Sequence, residues 1–217
     1  PDGRFFTCSF PKTYLVSVDT ATDRITNHGA LSSDTRNKYA TGIAVSDDSI
    51  VYVAIGLHHA EVWSFDPATG DRTQILPPFT GKPPDRAALT LGEDGQVYAA
   101  VRGKTFRCEP EGVSPVEKAP AARSDLEIRR AGDWYASALT SANALLLRHA
   151  ANGARKEVPT DFEGVASWLY GVCGERDGKI YGSGFQPAHV FRYDPQTGAS
   201  EDLGRRTGGR IQIYDIL

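Results

Sequence analysis

GLHHAEVWSFDPATGDRTQIL, Gly56–Leu76, has a partner further along the chain, SGFQPAHVFRYDPQTGASEDL, Ser183–Leu203. WSFDPATG and FRYDPQTG superpose at an offset of 128 residues. A weaker third copy is KTYLVSVDTATDRI, Lys12–Ile25. Aromatic and β-branched residues lead to an Asp in each copy, which reads as a strand running into a turn. The turn chemistry is specific. Asp accepts backbone N–H bonds, Pro sets φ near about −65°, and Gly supplies a positive φ.

The repeat extends through the chain. A short β-type run precedes each copy: RFFTC at Arg4, IVYVA at Ile50 and KIYGS at Lys179. Two divergent copies fit the same frame, with QVYAA at Gln96 leading to KTFRCEPEG and DWYAS at Asp133 leading to NALLLRHAANG. The frame positions Phe5, Val51, Val97, Trp134 and Ile180 are separated by 46, 46, 37 and 46 residues. A period near ~40–50 residues is that of propeller blades. Each unit reads as four strands: A, a small apolar run such as ATGIAV; B, the VY-type run; C, such as EVWSFD; and D, such as RTQIL. Polar turns (SDDS, GEDGQ, ERDGK) join A to B. No segment of 12 or more residues shows convincing helical periodicity.

The strand and turn alternation, the D-P-x-T-G turns and the blade-length period resemble bacterial β-propeller repeat proteins of the kelch, quinoprotein and YVTN types. The resemblance covers essentially the whole chain and implies an all-β propeller of five four-stranded blades forming one domain over 1–217. It implies no particular chemistry, because propellers host many. The expected blades are 1–31 plus 210–217, 40–76, 86–118, 125–158 and 168–203. The C-terminal GGRIQIYDIL has the pattern of a strand A that the first unit lacks. It is expected to complete that blade and remove the open sheet edges. The alternative is five blades of a larger propeller.

The chain has 217 residues, a formal charge of −3 and 40% hydrophobic residues. That balance argues against a strongly basic nucleic-acid binder. No apolar run approaches the ~18 residues of a membrane-spanning helix. The chain begins at Pro1 and contains no Met. It therefore reads as processed or excised, and export or a periplasmic location stays open because a signal peptide could have been removed. Cys8, Cys108 and Cys173 form no metal spacing. They read as small strand residues, with one disulfide and a leftover thiol as the alternative.

Antiparallel strands place successive turns at alternate ends of a blade. The B–C and D–A loops then share one face and total +5, while the A–B and C–D turns total −8, which together give the chain's −3. Turn chemistry by itself requires some of those Asp residues. A basic face focuses anionic ligands.

Candidate site residues follow from that face. His58 and His59 lie on the second B–C loop, aligned with Gln186 and Pro187, and Lys12 falls opposite His59. Tyr14, Glu61 and His189 share the neighbouring position. Arg102 and Lys104 come from the third such loop and Asn143 from the fourth. The D–A loops add Arg36, Asn37, Lys38, Arg86, Arg123, Arg205, Arg206 and Arg210. Histidine titrates near neutrality and serves as acid, base or ligand, and Arg forks onto carboxylate, sulfate or phosphate. Against these stand the plain readings: exposed loop histidines and solvated surface charges. Two adjacent histidines in a strand would point to opposite faces. Trp168 is read as a sugar-stacking residue or as blade packing. Trp63 and Trp134 read as blade core, and His28 and His149 as incidental.

No GxSxG, HExxH, P-loop, EF-hand or CxxC motif is present. No cofactor and no metal site is expected. The reading is a ligand-binding propeller that takes an acidic carbohydrate or other small anion on its basic face. One alternative is a carbohydrate-active enzyme such as a polysaccharide lyase, with His58, His59, His189, Tyr14 and Arg102 as its acid, base and neutralising groups. The other is a scaffold that binds a protein partner.

Overall fold

A computed structural model describes residues 4–19, 22, 24–76, 85–123, 130–131, 133–138, 144–159, 168–174, 177–185, 190–204 and 212–214. Among them every regular element is a strand. No helix there is long and apolar enough to cross a membrane. Contacts divide the chain into two compact units. The first holds Cys8–Leu15 and Asn27–Arg123, and the second holds Gly3–Thr7, Val16–Thr26 and Ser124–Leu217.

The first three strands are β1 (Arg4–Phe10), β2 (Tyr14–Asp19) and β3 (Arg24–Ala30). Next come β4 (Tyr39–Val45), β5 (Val51–Gly56), β6 (Glu61–Phe65) and β7 (Arg72–Leu76), which pair in sequence order as one antiparallel four-stranded sheet. A second such sheet in the first unit holds β8 (Ala88–Leu91), β9 (Val97–Val101), β10 (Lys104–Glu109) and β11 (Gly112–Val116). In the second unit β12 (Arg130–Ala131), β13 (Trp134–Ala138), β14 (Ala144–His149) and β15 (Arg155–Pro159) form a third.

The fourth sheet differs from expectation. β16 (Trp168–Gly174), β17 (Ile180–Phe185), β18 (Val190–Tyr193) and β19 (Ser200–Gly204) are joined by β20 (Gln212–Tyr214). The order is β19-β18-β17-β20-β1-β2-β3, with β16 also on β17, making eight strands. The C-terminal strand thus neighbours β1, as its sequence pattern suggested. It also meets β17 through Phe185↔Gln212. The first and last repeats therefore belong to one continuous sheet rather than two.

The sequence repeat is a structural repeat. The β6/β7 register shifts between Val62 and Trp63, and the β18/β19 register shifts between Val190 and Phe191, again 128 residues on. The two turns share a set of bonds. Gly70 N donates to Asp66 O at 2.8 Å, and Gly198 N donates to Asp194 O at 2.8 Å. Ala68 N and Gln196 N donate to the respective Asp Oδ1 at 2.7 and 2.8 Å. Gly70 and Gly198 have φ of +83° and +76°, a region costly to residues with a Cβ.

His149 is not incidental. In HAANG it occupies the turn-Asp position: Gly153 N donates to His149 O at 3.0 Å, and Ala151 N donates to its Nδ1 at 3.2 Å. Asn152 Oδ1 accepts from Ala154 N at 2.9 Å, in the manner of Thr69 Oγ1 with Asp71 N at 3.2 Å.

Strand β5 is buried at every position, so it carries a continuous apolar run rather than an alternating one. In the first unit Tyr52, Ala54, Val62, Ile75, Leu76, Val97, Ala99 and Val101 share one core. Ile180, Phe191, Tyr193, Leu147 and Val158 share another in the second. Burying each large side chain stabilises by roughly 1.5–3 kcal/mol. These cores hold the loops at the strand ends in place. Cys8 and Cys108 are buried free thiols.

Candidate functional site

The site begins where β5 ends. Leu57 has φ +82°, so the chain leaves the strand in a bend and the alternation of side chains stops. Leu57 N is anchored on Asp85 O at 3.0 Å. His58 and His59 follow, and their rings meet edge to face with centroids 5.4 Å apart. The strand rule that sends neighbouring side chains to opposite faces fails here, because neither histidine is in a strand.

Asn37 organises the bend. It is 2% exposed. Its Oδ1 accepts from His58 N at 3.1 Å and from His59 N at 3.3 Å. Its Nδ2 donates to His59 O and to Glu61 Oε1, both at 2.9 Å. One side chain thus satisfies backbone groups that the bend leaves without a ladder partner.

Glu61 is the second organiser, 3% exposed. Besides Asn37, its Oε1 accepts from Ser32 Oγ at 3.1 Å and lies 2.6 Å from His59 Nε2. Its Oε2 accepts from Trp63 Nε1 at 2.7 Å. Donors on both oxygens offset the cost of burying a carboxylate. Trp63 is therefore more than core: its indole N–H belongs to this network.

Asp34 completes the group. Its Oδ2 lies 3.7 Å from His59 Nδ1. Arg36 forks onto it, Nε to Oδ1 at 3.0 Å and a terminal nitrogen to Oδ2 at 2.7 Å. This hydrogen-bonded guanidinium, helped by the Arg36 backbone N–H, holds the Asp34 carboxyl well below the usual carboxylate range. His59 thus stands with one ring nitrogen toward Glu61 and the other toward Asp34.

Beside this group lies a cavity of about 320 Å³. Its wall includes Lys12 and Thr13 from the β1–β2 connection, Tyr14 at the start of β2, and Ser32, Asp34, Thr35, Asn37 and Lys38 from the β3–β4 connection. Its volume is at the lower end of small-molecule pockets, about 300–1,000 Å³. Lys12 Nζ lies 5.9 Å from the centre of the Tyr14 ring. Among the described residues, neither Lys12 nor Lys38 is in an ion pair.

Of the expected site residues, Lys12, Tyr14 and Lys38 line the cavity. His58 and His59 belong to the group that shares Asp34 and Asn37 with its wall. Arg36 is on Asp34 rather than in the wall. Arg102 is ion-paired with Asp85 at 2.6 Å, and Arg123 forks onto Asp47 with both contacts at 2.8 Å. Arg86 and Lys104 are exposed and do not line the cavity. Among the described residues, three of the four expected arginines are thus matched locally by Asp. Trp168 begins β16, and only its backbone is described. His189, Gln186, Asn143, Arg205, Arg206 and Arg210 lie outside the described residues. Asp34, Ser32 and the organising role of Asn37 were missed. The Asx-type spacing of SSDTRN, with Asp34 Oδ1 accepting from Arg36 N at 2.9 Å, is the local signal that could have drawn attention to them.

No protein-family model matches the chain, and no curated protein matches it in sequence. The kelch, quinoprotein and YVTN resemblance therefore has no sequence family behind it. Solved structures of β-propeller-like proteins do match. Virginiamycin B lyase from Staphylococcus aureus is 14% identical over 95% of this chain and 71% of its own, with a TM-score of 0.38. A putative 6-phosphogluconolactonase from Bacteroides uniformis is 14% identical over 97% and 84%, with a TM-score of 0.41. Regucalcin from Agrobacterium tumefaciens, a calcium-binding protein, is 17% identical over 99% and 70%, with a TM-score of 0.34. The functional reading rests on this chain's own residues.

Proposed function

We propose that the chain is a ligand-binding β-propeller of five blades, the first completed by the C-terminal strand, that takes a small anion in the cavity beside Lys12 and Lys38. The blades are those expected from the repeat, over 1–217. The observation that carries the ligand reading is the pairing pattern of the cations. Arg36, Arg102 and Arg123 each sit on an Asp, whereas the two lysines of the cavity wall do not. An incoming carboxylate meets two ammonium groups and the hydroxyl of Thr35 there. Tyr14 offers an aromatic surface, so the ligand class is an acidic carbohydrate. A glycan array probed at low and high salt tests this. Binding confined to acidic glycans and weakened by salt supports it, and salt-independent or absent binding contradicts it.

A second reading is favoured by His59, whose Nε2 is held by Glu61 at 2.6 Å. A histidine oriented in this way can serve as a base, as a polysaccharide lyase requires. Lyase action on a polyuronate gives an unsaturated product that absorbs in the ultraviolet. No absorbance across a panel of acidic polysaccharides removes the enzyme reading and leaves the binding one intact.

A further inference from the structure

We propose that Asp34, His58 and His59 form a binding site for a divalent transition-metal ion. One ligand atom from each of the three lies within 4.8 Å of the others, and all three residues are half-buried. The tautomer of His59 is arranged for it. Glu61 Oε1, 2.6 Å from Nε2, takes that N–H as a hydrogen bond. The Nδ1 lone pair is then left facing Asp34 Oδ2 at 3.7 Å. Two ligands of a tetrahedral zinc ion lie about 3.4 Å apart, so little closure is needed on this side of the site.

A carboxylate on the remote nitrogen is the arrangement that orients metal-binding histidines and raises their basicity. Here that carboxylate is itself fixed by Asn37, Ser32 and Trp63. The site therefore has a supporting shell that a chance pair of loop histidines lacks. Asp34 is shared with Arg36, whose positive charge opposes a cation. A carboxylate has roughly four lone-pair positions, and the fork of Arg36 leaves room for a metal. Two imidazoles and one carboxylate favour zinc, nickel, copper or cobalt over magnesium or calcium. Three protein ligands at a half-buried position leave coordination sites open to water or to a ligand oxygen. Asp34 also lines the cavity, so a bound ion would add positive charge at its wall.

Metal binding is read on the protein alone and does not require the anion reading to hold. The test is calorimetric titration of the full chain with Zn²⁺, with Co²⁺ followed by visible absorption as a second probe. One ion per chain is expected, with a cobalt band indicating nitrogen ligation. His58→Ala removes a ligand without touching the Glu61 network and should weaken binding tenfold or more. Asp34→Asn should do the same, and circular dichroism confirms that each variant is folded. His28→Ala is the control, since that ring packs on Phe65 with centroids 4.6 Å apart. It should bind as the parent does. Absence of one-to-one binding by the parent overturns the site. So does equal binding by the parent and by both ligand variants.

Discussion

Asn37 Oδ1 accepts from both His58 N and His59 N, at 3.1 and 3.3 Å, across 21 and 22 residues of sequence. The same side chain donates to Glu61 Oε1 at 2.9 Å. A single buried amide therefore ties the β3–β4 connection to the histidine bend. Asn37→Ala leaves two backbone N–H groups and a buried carboxylate short of partners. At about 1–3 kcal/mol for each buried group left unsatisfied, a loss of at least ~2 kcal/mol is expected. Urea unfolding measures it, and the slope with denaturant should stay unchanged.

Gly70 and Gly198 hold equivalent turns at φ +83° and +76°. Gly70→Ala and Gly198→Ala should each cost about 1 kcal/mol, since only the left-handed strain differs from one residue to the other. A Cβ at either position meets open space. Thermal unfolding of the two variants should therefore give similar losses, and a large disparity would contradict the equivalence of the repeats.

Burial pushes the Cys108 thiol from its ordinary value of 9.0 up to about 12, and burial also pushes Cys8 up. Both should resist a thiol reagent at pH 8 in the native state and react after unfolding, as peptide mapping would show. The unfolded thiols ionise near 9, whereas the folded ones do so much later. Their contribution to stability is thus complete below pH 9 and is lost as pH rises from 9 toward 12. Cys108→Ala should flatten part of the alkaline fall in the unfolding midpoint.

The turns were legible in the sequence because their residues act locally. An Asp, a Pro and a Gly within five positions dictate one backbone path, and Asp66 and Asp194 follow it alike. His149 shows the limit of reading by residue type: its Nδ1 performs the Asp task, and only alignment of HAANG with DPATG places it there. Lys12, Tyr14 and Lys38, grouped by assigning loops to a common face, line one cavity. Glu61 and Trp63 were harder. They join Asn37, Ser32 and His59 through bonds that depend on how two loops meet, which no periodicity encodes. The ion pair of Arg102 with Asp85, seventeen residues away, is set by the meeting of loops in the same way.

Glu61→Gln should lower stability by roughly 1–3 kcal/mol, because one end of the new amide offers N–H to donors that need an acceptor. It should also loosen His59. Histidine resonances in an NMR spectrum should report this, with His59 shifting more than His28.

Galacturonate oligomers titrated into the chain at low ionic strength give the most direct measurement of the anion site. The parent should bind one oligomer per chain, and affinity should fall as salt rises. Lys12→Ala combined with Lys38→Ala should reduce that affinity at least tenfold while leaving the unfolding midpoint near the parent value, because both lysines are exposed. Unchanged affinity in the folded double variant would contradict the assignment of the cavity as the site.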